Sequence, residues 1–440
     1  MENKFEFGGT CACGKVHRSS VKRVIAESGA ISRLPEVIAE LSSKRAFVVC
    51  DRNTYKAAGA RVESVLREAA VDFSTYIFDT DALEPNEWAV GSLTMHLDRR
   101  ADILVAVGSG TLNDICKIVS RTASLPYVIV ATAPSMDGYA SASSSMVMDG
   151  LKISLASRCP DVIIGESEVI CAAPWRMLVS GLGDMLAKYV SIAEWRIAAI
   201  LCGEYYCDYI ADYVRYALKL CTDNIEGLKK RDEKCVMAVF EGLIACGSAM
   251  EYAGLSRPAS GVEHYISHVW DMRSAELGTP SDTHGIQCAI GTLIASELYY
   301  KLIENYTPDR TRAKKYVEKF DFSKWCEVLR AHLATSAEPM ISQETKEGKY
   351  NLDSHANRLE LIVENWDRIV EIVRNEIPTP EKIRELLVAL ECPTSPEEIG
   401  IDRATMPTTF MATKDIRDKY VLSRLLWDLG ILEELADGLK

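Results

Sequence analysis

The stretch "ILVAVGSGTLNDICKIV", Ile103–Val119, decides the fold. Five continuous apolar residues, Ile103 to Val107, read as a strand buried on both faces, because a half-exposed strand would alternate apolar with polar positions. The run passes directly into Gly108-Ser109-Gly110, where glycine permits a tight turn and a close approach of the backbone to a ligand. A helix beginning near Thr111 then points its free N–H groups and the positive end of its dipole into that turn. Strand, glycine turn and helix in this order suit a diphosphate, although the third glycine of the full dinucleotide fingerprint is missing and a plain tight turn satisfies the same residues.

Working outward, the same grammar recurs through the first third of the chain. "AFVVC" (Ala46–Cys50), "STYIF" (Ser74–Phe78), "YVIVAT" (Tyr127–Thr132) and "VIIG" (Val162–Gly165) are further apolar or β-branched runs, with amphipathic segments such as "SRLPEVIAELSSK" between them. Alternation at this spacing predicts a parallel α/β sheet. Past about Ser167 only helical patterns follow, so the expected division is a Rossmann-like α/β domain over 1–166 and an all-helical domain over 167–440. Within the latter, the polar stretch 336–357 reads as a loop or a weak helix.

At 440 residues the chain exceeds one ordinary core, and 48% hydrophobic with 26% charged residues is the composition of a folded globular protein. The net charge of −13 lacks the basic stripe that nucleic-acid binding requires. No apolar leader opens the sequence and no run of eighteen uncharged apolar residues interrupts it, so neither a signal peptide nor a membrane span is expected. Fourteen cysteines without an export signal read as reduced thiols in a cytoplasmic protein. Cys11, Cys13 and His17 form a C-x-C-G-x-x-H whose spacing is tighter than the usual zinc finger and has no second half, which favours a structural reading.

Two further sites carry chemistry. "ATAPSMDGYASASSSM" follows the strand at Tyr127 with six small hydroxyl residues from Thr132 to Ser145, and reads as an irregular ligand loop at a strand's carboxyl end, with Asp137 embedded in it. Asp51, closing "AFVVCD", is placed either to accept hydrogen bonds from a ribose diol or to serve as a turn residue. Of seven histidines, three fall in twenty-one residues: His264 and His268 four apart in "SGVEHYISH", and His284 in "DTHG". Residues four apart share a helix face. Two imidazoles and a carboxylate can hold a divalent metal with a position open, and Asp184, in the apolar "SGLGDMLAKY", is a carboxylate that would be costly to bury without a cation. Core histidines with ordinary hydrogen bonds remain the alternative.

The ordered set "GSGTLND", "TAPSMDGYAS", "GLGDMLAKY", "SGVEHYISH" and "DTHG" resembles the sn-glycerol-1-phosphate dehydrogenases, within the superfamily of iron-type alcohol dehydrogenases, glycerol dehydrogenases and dehydroquinate synthases. The likeness runs from the first strand to "KDIRDKYVLSRLLWDLGILEE", and "CACGKVH" resembles the bacterial branch. It implies a dehydroquinate synthase-like fold in which Gly108, Ser109, Gly110, Thr111 and Leu112 hold the diphosphate of NAD(H) or NADP(H). Thr132, Ala133, Pro134, Ser135 and Ser141 would line the rest of the cofactor site, and Asp51 would meet the adenosine ribose, where it would repel a 2′-phosphate and favour NAD. Asp184, His264 and His284 would bind one divalent metal, zinc or nickel, with Asp184 also near the substrate. Asp137 and His268 would contact a small phosphorylated substrate, and a homodimer is expected. For the phosphate, Lys152 and Arg158 are the nearest cations, although solvated surface charges read the same way. The rivals are a glycerol dehydrogenase on the same metal site, a dehydroquinate synthase lacking its dense basic set, a metal-dependent hydrolase and a non-catalytic nucleotide-binding protein.

Overall fold

A computed structural model describes residues 10–80, 82–148, 151–223 and 225–440. The first nine residues, part of the segment read as carrying no signal peptide, lie outside them. Eight strands precede the helical remainder: β1 (Arg23–Glu27), β2 (Arg45–Asp51), β3 (Asp72–Phe78), β4 (Ile103–Gly108), β5 (Tyr127–Ala131), β6 (Ser143–Met148), β7 (Leu151–Ala156) and β8 (Val162–Glu166). Six form one sheet in the order β1-β8-β5-β4-β2-β3, with every pairing parallel. β4 and β5 are buried along their whole length, which is why they are continuous in apolar residues.

The order fixes where a ligand belongs. From β2 the chain proceeds to β3 at one edge, then returns to β4 on the other side of β2 and continues away to β5. Connections therefore leave β2 and β4 in opposite directions, and in open parallel sheets the crevice outside such a pair of carboxyl ends is the ligand position. Asp51 ends β2 and Gly108 ends β4, so both predicted residues flank it.

Two compact units emerge: Met1–Met185 with Tyr209–Leu255, and Leu186–Asp208 with Ser256–Lys440. The expected division at 166/167 falls inside the first unit, because helices beyond the sheet complete its core. Two of them are α2 (Trp175–Leu186) and α3 (Glu233–Ala253), which join α1 (Gly110–Ala123), the helix between β4 and β5. Phe240 of α3 lies so close over Gly165 of β8 that a Cβ there would fall 2.2 Å from its ring. Among the described residues α3 is the one helix long and apolar enough to cross a membrane, and 78% of its apolar window is buried.

One strand goes unread in the sequence, one loop reading changes, and one open alternative is decided. β1 was not anticipated: its ends are charged and it sits at a sheet edge, so no continuous apolar run marks it. Ser143–Ser145, read as loop, open an antiparallel hairpin of β6 with β7. The polar stretch 336–357 is helical over Ala337–Glu347 and from Leu352 onward. Its inward stripe includes Ala337, Met340 and a buried carboxylate, Glu344, paired with Arg424 at 2.9 Å and Lys349 at 2.7 Å, so apolar periodicity alone understates it.

The second unit contains only helices among its described residues. The two that carry the histidines are α4 (Val262–Leu277) and α5 (His284–Asn305). They approach closely at Gly291, where a Cβ would lie 2.7 Å from the Glu263 carbonyl oxygen.

Candidate active site

In the first unit the Gly108–Gly110 turn opens α1 with no side-chain cap, so its first amides remain directed at the turn. A Cβ on Gly108 would fall 2.4 Å from Leu112, which is the close packing that glycine serves here. Thr132, just after β5, donates its amide to the Gly108 carbonyl at 3.1 Å, so the segment 132–141 starts from the same turn.

That segment is held on three sides. From α1, Asn113 and Lys117 reach the Gly138 carbonyl at 3.2 and 2.5 Å, and the Lys117 ammonium also meets Ser141 Oγ and the Ser143 carbonyl, both at 3.1 Å. Lys117 is fully buried, and burial lowers its pKa. From α2, Ser180 donates to the Ser135 carbonyl at 3.0 Å, Asp184 accepts the Asp137 amide at 2.9 Å, and Gly181 lies where a Cβ would meet the Pro134 carbonyl oxygen at 2.0 Å. From α3, a Cβ on Gly247 would meet the Asp137 carbonyl at 2.5 Å, while Cys246 Sγ stands 3.5 Å from Asp137 Oδ2. Asp184 is fully buried and Asp137 nearly so.

The remaining predicted residues of this unit divide. Asp51 caps the helical turn after β2, its Oδ1 accepting the amides of Asn53 and Thr54 at 2.8 Å. Ser141 Oγ is engaged by Lys117 and by the Gly138 and Ser143 carbonyls, so it shapes the loop. Arg158 donates to Asp161 at 2.6 Å and to the Leu125 carbonyl at 2.9 Å, which makes it a brace between chain segments. Lys152 lies on β7 in the hairpin.

In the second unit the three histidines do converge. Ring centroids of His264 and His284 are 5.0 Å apart, and His268 stacks on His284 at 5.9 Å with planes inclined by 23°. His264 is buried at the first turn of α4, His284 is the first residue of α5, and His268 lies one helical turn beyond His264 and is half-buried. His264 Nδ1 is 2.8 Å from Glu263 Oε1. His284 Nδ1 is 3.2 Å from Ser267 Oγ, which Gln287 also contacts at 3.1 Å on its way to Asp271. His264 and His284 thus each have Nδ1 engaged, the arrangement by which outer partners orient a metal-ligating ring.

Cys288, one turn into α5, completes the cluster, with Sγ 3.6 Å from His284 Nε2 and ligand atoms of all three residues within 4.8 Å of one another. Burial raises the thiol pKa, but the two imidazoles beside it outweigh that and lower it. Sequence reasoning missed Cys288, although it stands at i+4 from His284. It also missed Glu263. Glu263 is fully buried, its Oε2 has no hydrogen-bond partner, and with burial it pushes the neighbouring Glu194 carboxyl up to about 8.

These donors fit a divalent ion. Imidazole nitrogens suit zinc and nickel, and an orphaned buried carboxylate oxygen beside them is the negative charge a cation would offset. Glu263→Gln should weaken metal binding about 10- to 100-fold by loosening the hold on His264, while relieving the repulsion with Glu194. Metal titration beside thermal unfolding checks this: unchanged affinity, or loss of fold with loss of metal, would remove Glu263 from the site.

The model of the iron-containing alcohol dehydrogenase family matches residues 25–174. A Bacillus licheniformis protein named glycerol-1-phosphate dehydrogenase (NAD(P)+) is 32% identical over 299 residues, 67% of this chain and 75% of its own. One of the same name from Geobacillus thermodenitrificans is 26% identical over 405 residues, 91% of each chain. Among solved structures, a probable glycerol dehydrogenase from Sinorhizobium meliloti superposes with a TM-score of 0.61 at 18% identity, covering 95% of this chain and 96% of that one. The last likeness concerns the fold alone.

Proposed function

The chain belongs to the glycerol-1-phosphate dehydrogenase family of the iron-containing alcohol dehydrogenases, and from that membership we propose that it interconverts dihydroxyacetone phosphate and sn-glycerol-1-phosphate with NAD(P). The observation that carries the reading is the 32% identity to a protein of that name, in a chain that also has a diphosphate-type turn and a convergent imidazole cluster. A hydrolase would use the imidazoles and leave the turn at the sheet's switch point without a role.

The residues divide the work as follows. Gly108, Ser109, Gly110, Thr111 and Leu112 would seat the diphosphate on the α1 amides, and Thr132, Ala133, Pro134 and Ser135 would flank the rest of the dinucleotide. Because Asp51 Oδ1 is committed to two amides, a ribose contact would fall to Oδ2. Asp184, His264 and His284 would hold one divalent ion, zinc or nickel. When bound, the ion supplies Lewis-acid polarisation of the ketone oxygen and the nicotinamide supplies or accepts the hydride.

The protein's own part is positioning and proton handling. Asp137, its amide fixed by Asp184 and its carbonyl pressed by Gly247, would orient the substrate hydroxyls. His268 presents a half-buried imidazole one turn beyond His264, and would hold the proton that the reduced oxygen takes up. A basic side chain would be needed for the phosphate, and Lys152 on β7 would supply it. A cytoplasmic homodimer belongs to the same reading.

NADH oxidation with dihydroxyacetone phosphate, run beside unphosphorylated dihydroxyacetone on protein supplied with zinc or nickel, tests the proposal. Turnover of the phosphate ester at least about 100-fold more efficiently is expected, the preference being set by paired charges on the phosphate. Equal or better use of the unphosphorylated ketone would identify a glycerol dehydrogenase instead.

A further inference from the structure

Far along the chain from the histidines of the second unit, the first unit contains a second group of metal-ligating side chains that the reaction leaves unused. Cys11, Cys13 and His17 each put a ligand atom within 4.8 Å of the others. The sequence spacing looked too tight for a metal, and local folding explains how it suffices. The Gly14 amide donates to the Cys11 carbonyl at 2.8 Å and the Cys11 amide to the Lys15 carbonyl at 2.9 Å, closing a turn around Gly14 at φ +84°. Glycine is the residue that takes this left-handed conformation without strain. The turn brings Cys11, Cys13 and His17 together within seven residues.

The imidazole is prepared as a ligand. His17 is 2% exposed, with Nδ1 3.2 Å from the Tyr252 carbonyl of α3 and its ring stacked on Tyr209 at 6.0 Å. A carbonyl can only accept, so Nδ1 carries the proton and Nε2 presents its lone pair, the tautomer in which a histidine binds metal. That Nε2 lies 3.4 Å from Cys13 Sγ. Two ligands of one tetrahedral zinc, at roughly 2.3 Å for sulfur and 2.0–2.1 Å for nitrogen, stand about 3.6 Å apart. Cys11 is buried and Cys13 half-buried, and both are reduced.

We propose that Cys11, Cys13 and His17 bind a structural zinc ion, independently of the catalytic reading, with the fourth position left to a further thiol, imidazole or water. Two thiolates and a neutral imidazole balance the charge of the ion, and soft sulfur donors select zinc over harder divalent ions. The ion would fasten the N-terminal loop to α3, where Ser20 and Glu251 already join the same segments.

The decisive measurement is residue-resolved alkylation of the wild-type protein by iodoacetamide, with zinc and after chelation. Cys11 and Cys13 should react at least about tenfold more slowly with zinc bound, since the free thiolate is the reactive form. Zinc content should fall by one equivalent per chain in Cys11→Ser and Cys13→Ser and be retained in His17→Cys, which keeps a ligand at that position. Alkylation rates indifferent to zinc, with equal metal content in wild type and both serine variants, would reduce the cluster to a thiol–imidazole hydrogen bond and overturn the proposal. Should the serine variants fail to fold, the wild-type alkylation still decides, because it needs no substitution.

Discussion

Replacing His264 with alanine is expected to remove the metal and lower kcat by about 1000-fold or more, with His284→Ala doing the same. The size follows from what is lost: stabilisation of charge developing on the substrate oxygen, for which a single lost donor already costs roughly 100- to 1000-fold. Asp184→Asn should lose metal too, although Asp184 also accepts the Asp137 amide at 2.9 Å and so shapes the loop. Cys288→Ser separates two versions of the cluster. With Asp184, His264 and His284 as ligands, Cys288 is a neighbour, and its serine variant keeps the metal. If instead the thiol ligates, as its place within 4.8 Å of both imidazoles allows, metal is lost with it. Metal content and kcat measured on the same preparations of all four variants read this out. A His264→Ala enzyme with full metal and full turnover would dismiss the catalytic reading of the cluster.

The second large effect is expected from a residue that touches no substrate. In Gly181→Ala the new methyl would lie 2.0 Å from the Pro134 carbonyl oxygen, which is backbone and cannot swing aside as a side chain would. Either α2 or the segment 132–141 must move. Overpacking of this kind costs about 1–3 kcal/mol of stability, and a displacement on the order of 1 Å in a positioning loop costs on the order of 100-fold in kcat/KM. Dinucleotide affinity, substrate kinetics and urea unfolding measured together give the split: a stability loss with unchanged kinetics would mean that the loop does not position the reactants. Gly91→Ala, in the helix Glu87–His96 with nothing within 4 Å of the added methyl, is the natural control for lost glycine flexibility alone.

How much of this is legible in the sequence depends on where each residue finds its partner. β4 was plain because a strand buried on both faces must be apolar throughout, and the Gly108–Gly110 turn because glycine marks close approach. The histidines stood out by scarcity, and the structure draws together the three that the sequence grouped. Lys117 and Glu263 could not be read the same way, since a lysine or glutamate in a helix ordinarily faces water. The Gly138 and Ser143 carbonyls with Ser141 Oγ for Lys117, and the Gly261 amide with the His264 ring for Glu263, are the partners that account for burying them. In hindsight Lys117 stands at i+4 from Asn113 on the buried face of α1, a faint mark of a polar seam. The limit of the first unit was invisible for a related reason: Gly165 and Phe240 are far apart in the chain, and their contact draws α3 into the sheet's core. The C-x-C-G-x-x-H spacing reads as too tight for a zinc finger because separation along the chain does not reveal the Gly14 turn, which brings Cys11, Cys13 and His17 together within seven residues.

The central claim is most directly tested in the oxidative direction, by NAD+ reduction with sn-glycerol-1-phosphate, sn-glycerol-3-phosphate and glycerol offered separately to the metal-loaded enzyme. The account predicts turnover of the sn-1 ester, with the sn-3 ester and glycerol slower by at least about 100-fold, because the positions of hydride acceptor, metal and phosphate together admit one enantiomer. Preferential oxidation of glycerol or of the sn-3 ester, or no reduction of NAD+ or NADP+ with any of the three, would contradict it.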